Sequence, residues 1–363
     1  MADFSGISDL AGQRVVVTGG SGFIGQRVVA ALLENGAEVT ALARNKQGAN
    51  LIAKTGAIAI VTALTETARI ADLLASTDAL VHLAYDVRAS GQANLQTFKA
   101  LIEAAQQARI RRIVHMSSIV VYDGWPTEDL DAESPIGSAG GSPYRRAKME
   151  MEETLMKGDL PAAILQPTLV YGAGSALWTD GLAQHLARGG LVLPEPEGVC
   201  NAVYVDDVAQ AVVHAVNLPD LGRERFLISG RSPVSWTDLL SGYAASVGGE
   251  IQHEPATAIA DALGPEPEIQ DTPSLAARIS AFGRRAIGNS AFDGMVNTAK
   301  AILGQRASGP MWPDHHLFRV FTATGTCRID AAQARLGYEP RYDLPAGLAA
   351  IAPYLERRFR SPS

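Results

Sequence analysis

A tyrosine and a lysine four residues apart are the clearest candidates for chemistry in this sequence. Tyr144 and Lys148 lie in the segment SPYRRAK, whose Pro143 suits the first turn of a helix. Residues four apart share one helix face, so the two side chains are expected to lie together. A tyrosine with a pKa of about 10 is a poor base at neutral pH, but a neighbouring ammonium group favours the phenolate and lowers that pKa. Tyr144 is therefore a candidate acid and base that exchanges a proton with a carbonyl or an alcohol.

A hydroxyl side chain at the end of a predicted strand is the next candidate. Ser118 follows Met116 and Ser117, and the carboxyl end of a parallel strand faces the ligand crevice. A serine in that position is able to hydrogen-bond a reacting oxygen and to stabilise its developing charge. An isolated Ser-Ser pair is more often an ordinary turn, so this assignment depends on the motifs around it.

A glycine-rich segment, TGGSGFIG, lies between the first predicted strand and the first predicted helix. Gly20, Gly22 and Gly25 match the spacing GxGxxG, and Gly19, Gly22 and Gly25 match GxxGxxG. Glycines let the backbone turn sharply and let a pyrophosphate approach the amides at a helix N-terminus, where the helix dipole favours negative charge. The required strand and helix are both predicted, which favours a dinucleotide site over a purely structural turn.

The turn after the second predicted strand indicates which dinucleotide binds. An NAD site usually presents an acid there to the ribose hydroxyls, whereas an NADP site presents a cation to the 2′-phosphate. Arg44 occupies this turn and Lys46 follows closely, while Glu38 stands at the start of the strand. These residues favour NADP(H) over NAD(H). The alternative interpretation is that Arg44 is an ordinary solvated surface charge.

Alternating strand and helix patterns must position these residues. Short apolar runs predict buried strands, and apolar residues at helical spacing predict the helices between them. The strands are Val15–Val17, Val39–Ala43, Ala79–Leu83, Ile113–Met116 and Ala163–Leu165, and the helices are Gln26–Asn35, Leu95–Ala108 and Lys148–Met156. This alternation predicts an α/β fold with a Rossmann-type, doubly wound parallel sheet, followed by a smaller, mostly helical C-terminal substrate domain.

The domain organisation follows from where this alternation weakens. We expect residues 1–172 to form the NAD(P)-binding domain, with later segments near 200–222 and 320–330 packing back on it. Residues 173–363 are then mainly a discontinuous substrate-binding domain. The segment 275–303 is predicted to be a basic amphipathic helix, which is either a lid or packing helix with a solvated face or a contact for a membrane or a phosphate.

Composition and charge exclude several classes of protein. The 363 residues carry 31 basic and 38 acidic side chains, and this net charge of −7 has the wrong sign for binding nucleic acid. Cys200 and Cys327 are too few for a disulfide framework. The first ten residues lack the basic and apolar regions of a secretory signal, and no apolar stretch approaches the roughly 20 residues of a membrane span. The sequence therefore predicts a cytoplasmic protein that acts on a small molecule.

Together these motifs resemble the extended short-chain dehydrogenase/reductase superfamily, which includes nucleotide-sugar epimerases, dehydratases and reductases. The resemblance extends over nearly the whole chain, because several independent motifs occur in the order of the family. They are TGGSGFIG, His82-Leu83-Ala84, Ser117-Ser118 with Tyr122, Tyr144 with Lys148, Gln166 to Gly172, Tyr204 to Ala209, and Leu336 to Pro340.

The resemblance implies roles for particular residues. It makes Ser118, Tyr144 and Lys148 the catalytic residues, with Lys148 also binding the nicotinamide ribose. Ala84 would pass beneath the cofactor and Pro167 to Val170 would cover the nicotinamide. The cofactor contacts that it implies are Gly19, Ser21, Gly22, Phe23, Ile24, Gly25, Arg44, Leu64, Leu83, Ala84, Tyr144, Lys148, Pro167 and Val170. A homodimer is expected from the family alone.

This sequence also departs from its relatives in ways that bear on the substrate. Dehydratases of the family carry an acid pair after the serine, but Ile119 and Val120 stand here, which argues against dehydration. Nucleotide-sugar enzymes usually carry an arginine that holds the diphosphate in the stretch corresponding to 198–204, which contains no cation here, and the arginine often found in the family just before the Pro167 motif is replaced by Gln166. Basic residues of the 275–303 segment could replace them in holding a diphosphate.

Three functions are compatible with these features. We expect an NADP(H)-dependent oxidoreductase that acts on a carbonyl or secondary alcohol of a small metabolite, with Tyr144 as its acid and base. The alternatives are a nucleotide-sugar epimerase with tightly bound NAD(P) and a non-catalytic NADP-binding sensor. No metal site is expected, because His315 and His316 have no partner ligands at a suitable spacing. The sequence does not identify the substrate.

Overall fold

A computed structural model describes residues 4–122, 126–138, 141–266 and 309–359 of the chain. Its strands are β1 (Arg14–Thr18), β2 (Glu38–Ala43), β3 (Ile58–Val61), β4 (Ala79–His82), β5 (Ile113–Met116), β6 (Ala162–Pro167), β7 (Leu169–Tyr171), β8 (Leu191–Glu195), β9 (Val199–Cys200), β10 (Ala202–Tyr204), β11 (Arg223–Ile228), β12 (Val234–Ser235) and β13 (Ile251–Pro255). Its helices are α1 (Phe23–Glu34), α2 (Lys46–Ala53), α3 (Thr67–Leu74), α4 (Gly91–Gln107), α5 (Pro143–Lys157), α6 (Leu182–Gly189), α7 (Val205–Asn217), α8 (Trp236–Val247), α9 (Ala256–Leu263), α10 (His315–Thr322) and α11 (Leu344–Phe359).

Seven parallel strands form the central sheet in the order β11-β6-β5-β4-β1-β2-β3. The order reverses beside β1, and open α/β sheets bind ligands at such a switch point, outside the carboxyl ends of the strands. The predicted Rossmann-type sheet is therefore confirmed. The five strands identified in the sequence are all present in it.

Helices cover both faces of this sheet. Successive residues of β1 point to opposite faces, so Val15 and Val17 belong to one hydrophobic core and Val16 belongs to the other. The first core is completed by apolar residues of α1, α2 and α7, and the second by those of α3, α4 and α5. A sheet that is buried on both faces explains why its strands are continuous apolar runs in the sequence.

Much of the chain after residue 172 forms a smaller unit of helices and short two-stranded sheets. Helix α8 packs against α6 and α11, and strand β9 pairs with β12 and β8 with β13. Strand β10 pairs with β7, which lies just before residue 172. Helix α7 instead packs against the central sheet, and strand β11 pairs with β6 as a strand of that sheet. Strand β11 was not predicted from the sequence. The proposed boundary at residue 172 stays a prediction, and the predicted helix at 275–303 lies outside the described residues.

Polar caps, rather than apolar periodicity, determine where two functional helices begin. The side chains of Ser90 and Ser142 accept hydrogen bonds from the amides of Ala93 and Arg145, so α4 begins at Gly91 and α5 at Pro143. The apolar periodicity began only at Leu95 in α4 and at Lys148 in α5, four and five residues after the observed starts. The prediction that Pro143 lies in the first turn of the second helix is confirmed, and Tyr144 lies in that same turn.

Candidate active site

The glycine turn after β1 is closely packed against neighbouring backbone atoms. Gly19 has a φ of +75°, and a Cβ atom there would lie 2.8 Å from the Ala84 nitrogen. A Cβ atom on Gly25 would lie 2.1 Å from the Gly19 carbonyl oxygen. Both positions therefore require glycine, the first for its dihedral angle and the second for the close approach of α1 to the turn.

The first turn of α1 is suited to an anion. Gly22 is the N-cap residue and offers no side-chain cap, and the first turn contains no acidic residue. The amides of Phe23 and Ile24 therefore stand at the positive end of a helix dipole without a neighbouring carboxylate of that turn. These features fit the pyrophosphate of a dinucleotide.

Several other predicted cofactor residues surround this turn. The amide of Leu83 donates to the Thr18 carbonyl over 3.2 Å, and the Ala84 amide lies 3.4 Å from Thr18 Oγ1, so the end of β4 abuts the turn. Ser21 faces the start of α2, and Phe23 lies against the loop at Gly172. The remaining predicted positions are Leu64, half-buried after β3, Pro167 at the end of β6 and Val170 in β7.

Arg44 directly follows β2, as expected, but it has a partner that the sequence did not reveal. Its guanidinium forms an ion pair with Asp86, in the loop between β4 and α4. The Arg44 side chain is 70% exposed, whereas that of Asp86 is 33% exposed. Lys46 begins α2, whose N-terminus is capped by the side chain of Asn45.

The structure brings Ser118, Tyr144 and Lys148 together. Ser118 is the N-cap residue of the short 3₁₀ turn Ile119–Val121 that follows β5, and its side chain forms a hydrogen bond with Tyr144. The Lys148 ammonium is buried and donates to the Met116 carbonyl over 2.6 Å. It also lies 5.9 Å from the centre of the Tyr144 ring and 5.3 Å from that of Tyr85. Tyr85 meets Tyr144 edge-on, with ring centres 4.8 Å apart.

Burial controls the acidity of these groups. It raises the pKa of Tyr144 to about 12, although the hydrogen bond with Ser118 acts in the opposite direction. Burial also lowers the pKa of Lys148 to about 8, and the carboxylate of Glu152 partly offsets that effect. The lowered phenol pKa expected from the sequence is therefore not found for the protein groups alone, because desolvation outweighs the hydrogen bond with Ser118.

Two buried, uncharged histidines lie near Lys148. His82 and His115 are paired residues on β4 and β5, and their Nδ1 atoms lie 2.9 Å apart. Burial and the Lys148 charge lower both pKa values, that of His82 to about 3. Both rings are therefore neutral at physiological pH. The only sign of this pair in the sequence is that the two histidines occupy neighbouring predicted strands.

Gln166, which stands where the family resemblance implies an arginine, is fully buried in a hydrogen-bond network. Its amide nitrogen donates to both carboxylate oxygens of Glu152, and its carbonyl accepts from the Tyr122 hydroxyl over 2.9 Å. Arg225 on β11 forms the ion pair with Glu152, with Nε 2.7 Å from Oε2. The cation for this buried carboxylate therefore comes from the neighbouring strand.

In the stretch 198–204, a polar side chain is likewise hydrogen-bonded to other parts of the protein. Asn201 donates to the Gly325 carbonyl over 2.9 Å and accepts from the Cys327 amide over 3.2 Å. These bonds hold the segment after α10 against the end of the sheet. Cys200 is fully buried in the main core, and burial raises its pKa well above the ordinary value, so it is not a thiolate nucleophile.

The surroundings of Trp178 and His316 are mainly structural. Trp178 packs against the core, with its ring centre 6.1 Å from that of Trp236 and 6.4 Å from that of His316. Within the described residues, no group of three or more potential ligands is arranged to hold a metal ion. In the same part of the chain, every helix is too short or too polar to cross a membrane.

A cavity of about 620 Å³ adjoins the candidate catalytic tyrosine. It lies between the loop Tyr85–Ser90 and the first turns of α4 and α5, and the side chains of Tyr85 and Tyr144 are part of its wall. A Cβ atom on Gly91 would lie 2.5 Å from the Pro143 carbonyl oxygen, so the two helix starts are in close contact at the base of this region.

A Rossmann-type sheet with a glycine turn after its first strand defines a class of dinucleotide-binding proteins. A family model described as the NAD dependent epimerase/dehydratase family matches residues 15–229, more than half of the chain. The chain therefore belongs to this family, as its motifs predicted. It is an NAD(P)-dependent oxidoreductase or epimerase of the extended short-chain dehydrogenase/reductase type.

Curated relatives of this chain include two named reductases. One is the 4-hydroxy-2-methyl-3-oxo-4-farnesyl-3,4-dihydroquinoline-1-oxide ketoreductase of Stigmatella aurantiaca, which is 26% identical over 363 residues, covering 93% of this chain and 95% of that protein. The 2-alkyl-3-oxoalkanoate reductase of Stenotrophomonas maltophilia is 27% identical over 252 residues, covering 65% and 76%.

Solved structures confirm the fold. The UDP-glucose 4-epimerase of Thermotoga maritima, determined with UDP-glucose, has a TM-score of 0.66 and 18% identity. It covers 95% of this chain and 99% of that chain. At this identity the likeness shows the architecture alone.

Proposed function

We propose that this protein is an NADP(H)-dependent reductase of a ketone in a small apolar metabolite. The observation that carries the proposal is the arrangement of Ser118, Tyr144 and Lys148, with a phenol that burial keeps protonated. A protonated phenol is the form needed to reduce a carbonyl, because it supplies the proton. Two relatives that are named for substrates with a 3-oxo group support the same direction of reaction.

In this mechanism a bound nicotinamide dinucleotide would supply the hydride, and side chains of the protein transfer the proton. Ser118 and Tyr144 hydrogen-bond the carbonyl oxygen, and Tyr144 donates its proton as the alcohol forms. The Lys148 ammonium, held by the Met116 carbonyl, then stabilises the phenolate that remains. The reaction consumes one ketone, one reduced cofactor and one proton, and it releases the alcohol and the oxidised cofactor.

The surroundings of Gln166 and Asn201 favour this reaction over one on a nucleotide sugar. Both side chains are amides, and both are engaged with protein partners. A diphosphate needs charged hydrogen bonds, and neither position supplies a cation for it. The epimerase remains the second candidate because a UDP-glucose 4-epimerase of Mycolicibacterium smegmatis is 29% identical over 273 residues.

Turnover of free cofactor separates these functions. We expect the purified protein to oxidise NADPH in a one-to-one ratio with the appearance of a secondary alcohol from a 2-alkyl-3-oxo acid or a cyclic ketone. Absorbance at the reduced-nicotinamide band and mass spectrometry of the product measure the two quantities. Interconversion of UDP-glucose and UDP-galactose without net use of NADPH would instead establish the epimerase. A sensor would bind NADPH and turn over neither class of compound.

Replacing Arg44 by alanine tests the cofactor choice. We expect the Kd for NADPH to rise by about 10- to 100-fold, because a charged hydrogen bond to a 2′-phosphate contributes roughly 1.5–3 kcal/mol. The Kd for NADH is expected to stay nearly constant. Arg111→Ala is the matched control, since Arg111 is 68% exposed and pairs with Asp78 at the amino ends of the strands, whereas Arg44 follows the carboxyl end of β2. Equal affinities of the parent protein for the two cofactors would contradict the proposed NADP(H) preference.

A further inference from the structure

The ion pair between Arg44 and Asp86 connects two loops on either side of the glycine turn. Arg44 follows β2, and Asp86 lies in the loop after β4, while β1 runs between these two strands in the sheet. Strands two places apart are separated by about 10 Å. The pair therefore spans the carboxyl end of β1, next to Gly19, where the dinucleotide is expected to lie.

Asp86 is held in place independently of Arg44. Its amide donates to Asn94 Oδ1 over 2.8 Å, and its carbonyl accepts from Asn94 Nδ2 over 3.0 Å. The Arg88 amide donates to Asp86 Oδ1 over 3.0 Å. Asn94 belongs to α4 and is itself buried, so the loop is anchored on a helix. When Arg44 turns away, Asp86 keeps its position and one hydrogen-bond partner.

Arg44, in contrast, is held only loosely by this contact. Its side chain is 70% exposed and long enough to adopt several conformations, and exposed ion pairs contribute little to stability. A 2′-phosphate carries more charge than a carboxylate and accepts bidentate hydrogen bonds from a guanidinium. A phosphate near Arg44 is therefore able to displace Asp86, whereas the neutral 2′-hydroxyl of NAD(H) offers no such exchange.

We infer that Asp86 is a specificity-determining residue for the dinucleotide, acting as the counter-ion that the 2′-phosphate of NADP(H) must displace from Arg44. Breaking the ion pair with Asp86 offsets part of the free energy that the contact between Arg44 and the phosphate supplies, so Asp86 weakens the binding of NADP(H). This inference rests on the proposed NADP(H) preference. It concerns the binding of the cofactor alone and does not depend on which substrate the enzyme reduces.

Replacing Asp86 by asparagine is the direct test, because the amide keeps the size and hydrogen-bonding capacity of the side chain but removes its charge. We expect the Kd for NADPH, measured by fluorescence titration at low ionic strength, to fall by about two- to fivefold. The Kd for NADH is expected to change little, so the preference for NADPH increases. Asp330→Asn, which removes an exposed partner of Arg328, is the matched control for the change in net charge.

A double-mutant cycle separates the inferred mechanism from its alternatives. In the Arg44→Ala background, Asp86→Asn is expected to have at most a small effect on the Kd for NADPH. Weaker or unchanged NADPH binding in the Asp86→Asn single variant would overturn the inference, since Asp86 would then orient Arg44 or be irrelevant. The inference would also be overturned if Asp86→Asn lowered the Kd for NADPH as much in the Arg44→Ala background as in the parent protein. Comparison of NADPH with NADH in the parent protein tests the cofactor proposal separately.

Discussion

Replacing Tyr144 by phenylalanine is expected to lower kcat for NADPH-dependent ketone reduction by about 10²- to 10⁴-fold, the usual contribution of a general acid. The substitution removes the proton donor and the hydrogen bond with Ser118. It keeps the aromatic ring that meets Tyr85 edge-on, so the shape of the site is retained. Steady-state kinetics and NADPH titration of the same preparation measure the two effects.

Cofactor binding distinguishes a chemical role for Tyr144 from a structural one. We expect the Kd for NADPH to change far less than kcat, because the ring and the glycine turn remain in place. Tyr354→Phe is a suitable control, since its hydroxyl bonds Asp180 on the C-terminal unit, away from Ser118. A Tyr144→Phe protein that retained the parent kcat would remove Tyr144 from the mechanism.

Replacing Glu152 by alanine is expected to reduce the free energy of unfolding by about 3–5 kcal/mol, because breaking a buried ion pair leaves its partners uncompensated. The Glu152 side chain is 1% exposed and accepts bonds from both Arg225 and Gln166. Its removal leaves the guanidinium without its anion and the buried Gln166 amide without its acceptor. Urea denaturation followed by circular dichroism measures the change.

The adjacent glutamate provides the control for this experiment. Glu153 is 58% exposed and pairs with Lys157 one turn further along α5, on the solvent side. Glu153→Ala is expected to cost less than about 1 kcal/mol, since exposed ion pairs contribute little. Similar losses for the two variants would mean that the buried network does not stabilise the fold as described here.

Local patterns allowed much of the sheet and of the candidate site to be predicted. The glycine turn depends on close backbone contacts within a short segment, and Tyr144 and Lys148 lie together because they are one helical turn apart. Strand β11 was missed because it begins with Arg223, Glu224 and Arg225, a charged start that differs from the apolar runs of the inner strands. An edge strand needs fewer apolar residues, so its pattern is weak.

Partners that are distant in the sequence could not be predicted. Asp86 is 42 residues from Arg44, and Arg225 is 73 residues from Glu152. No spacing rule links such residues, since only the folded sheet brings them together. The acidity of Tyr144 also differed from expectation, because the extent of its burial depends on packing that one short motif does not describe.

The pairing of Glu152 with both Arg225 and Gln166 has a consequence for which substitutions this chain tolerates. An arginine at position 166 alone would place two guanidinium groups, the new one and that of Arg225, beside a single buried carboxylate. One of them would lack an anion, and a buried unpaired charge is costly. The two positions are therefore expected to change in a fixed order, with Arg225 replaced first or simultaneously.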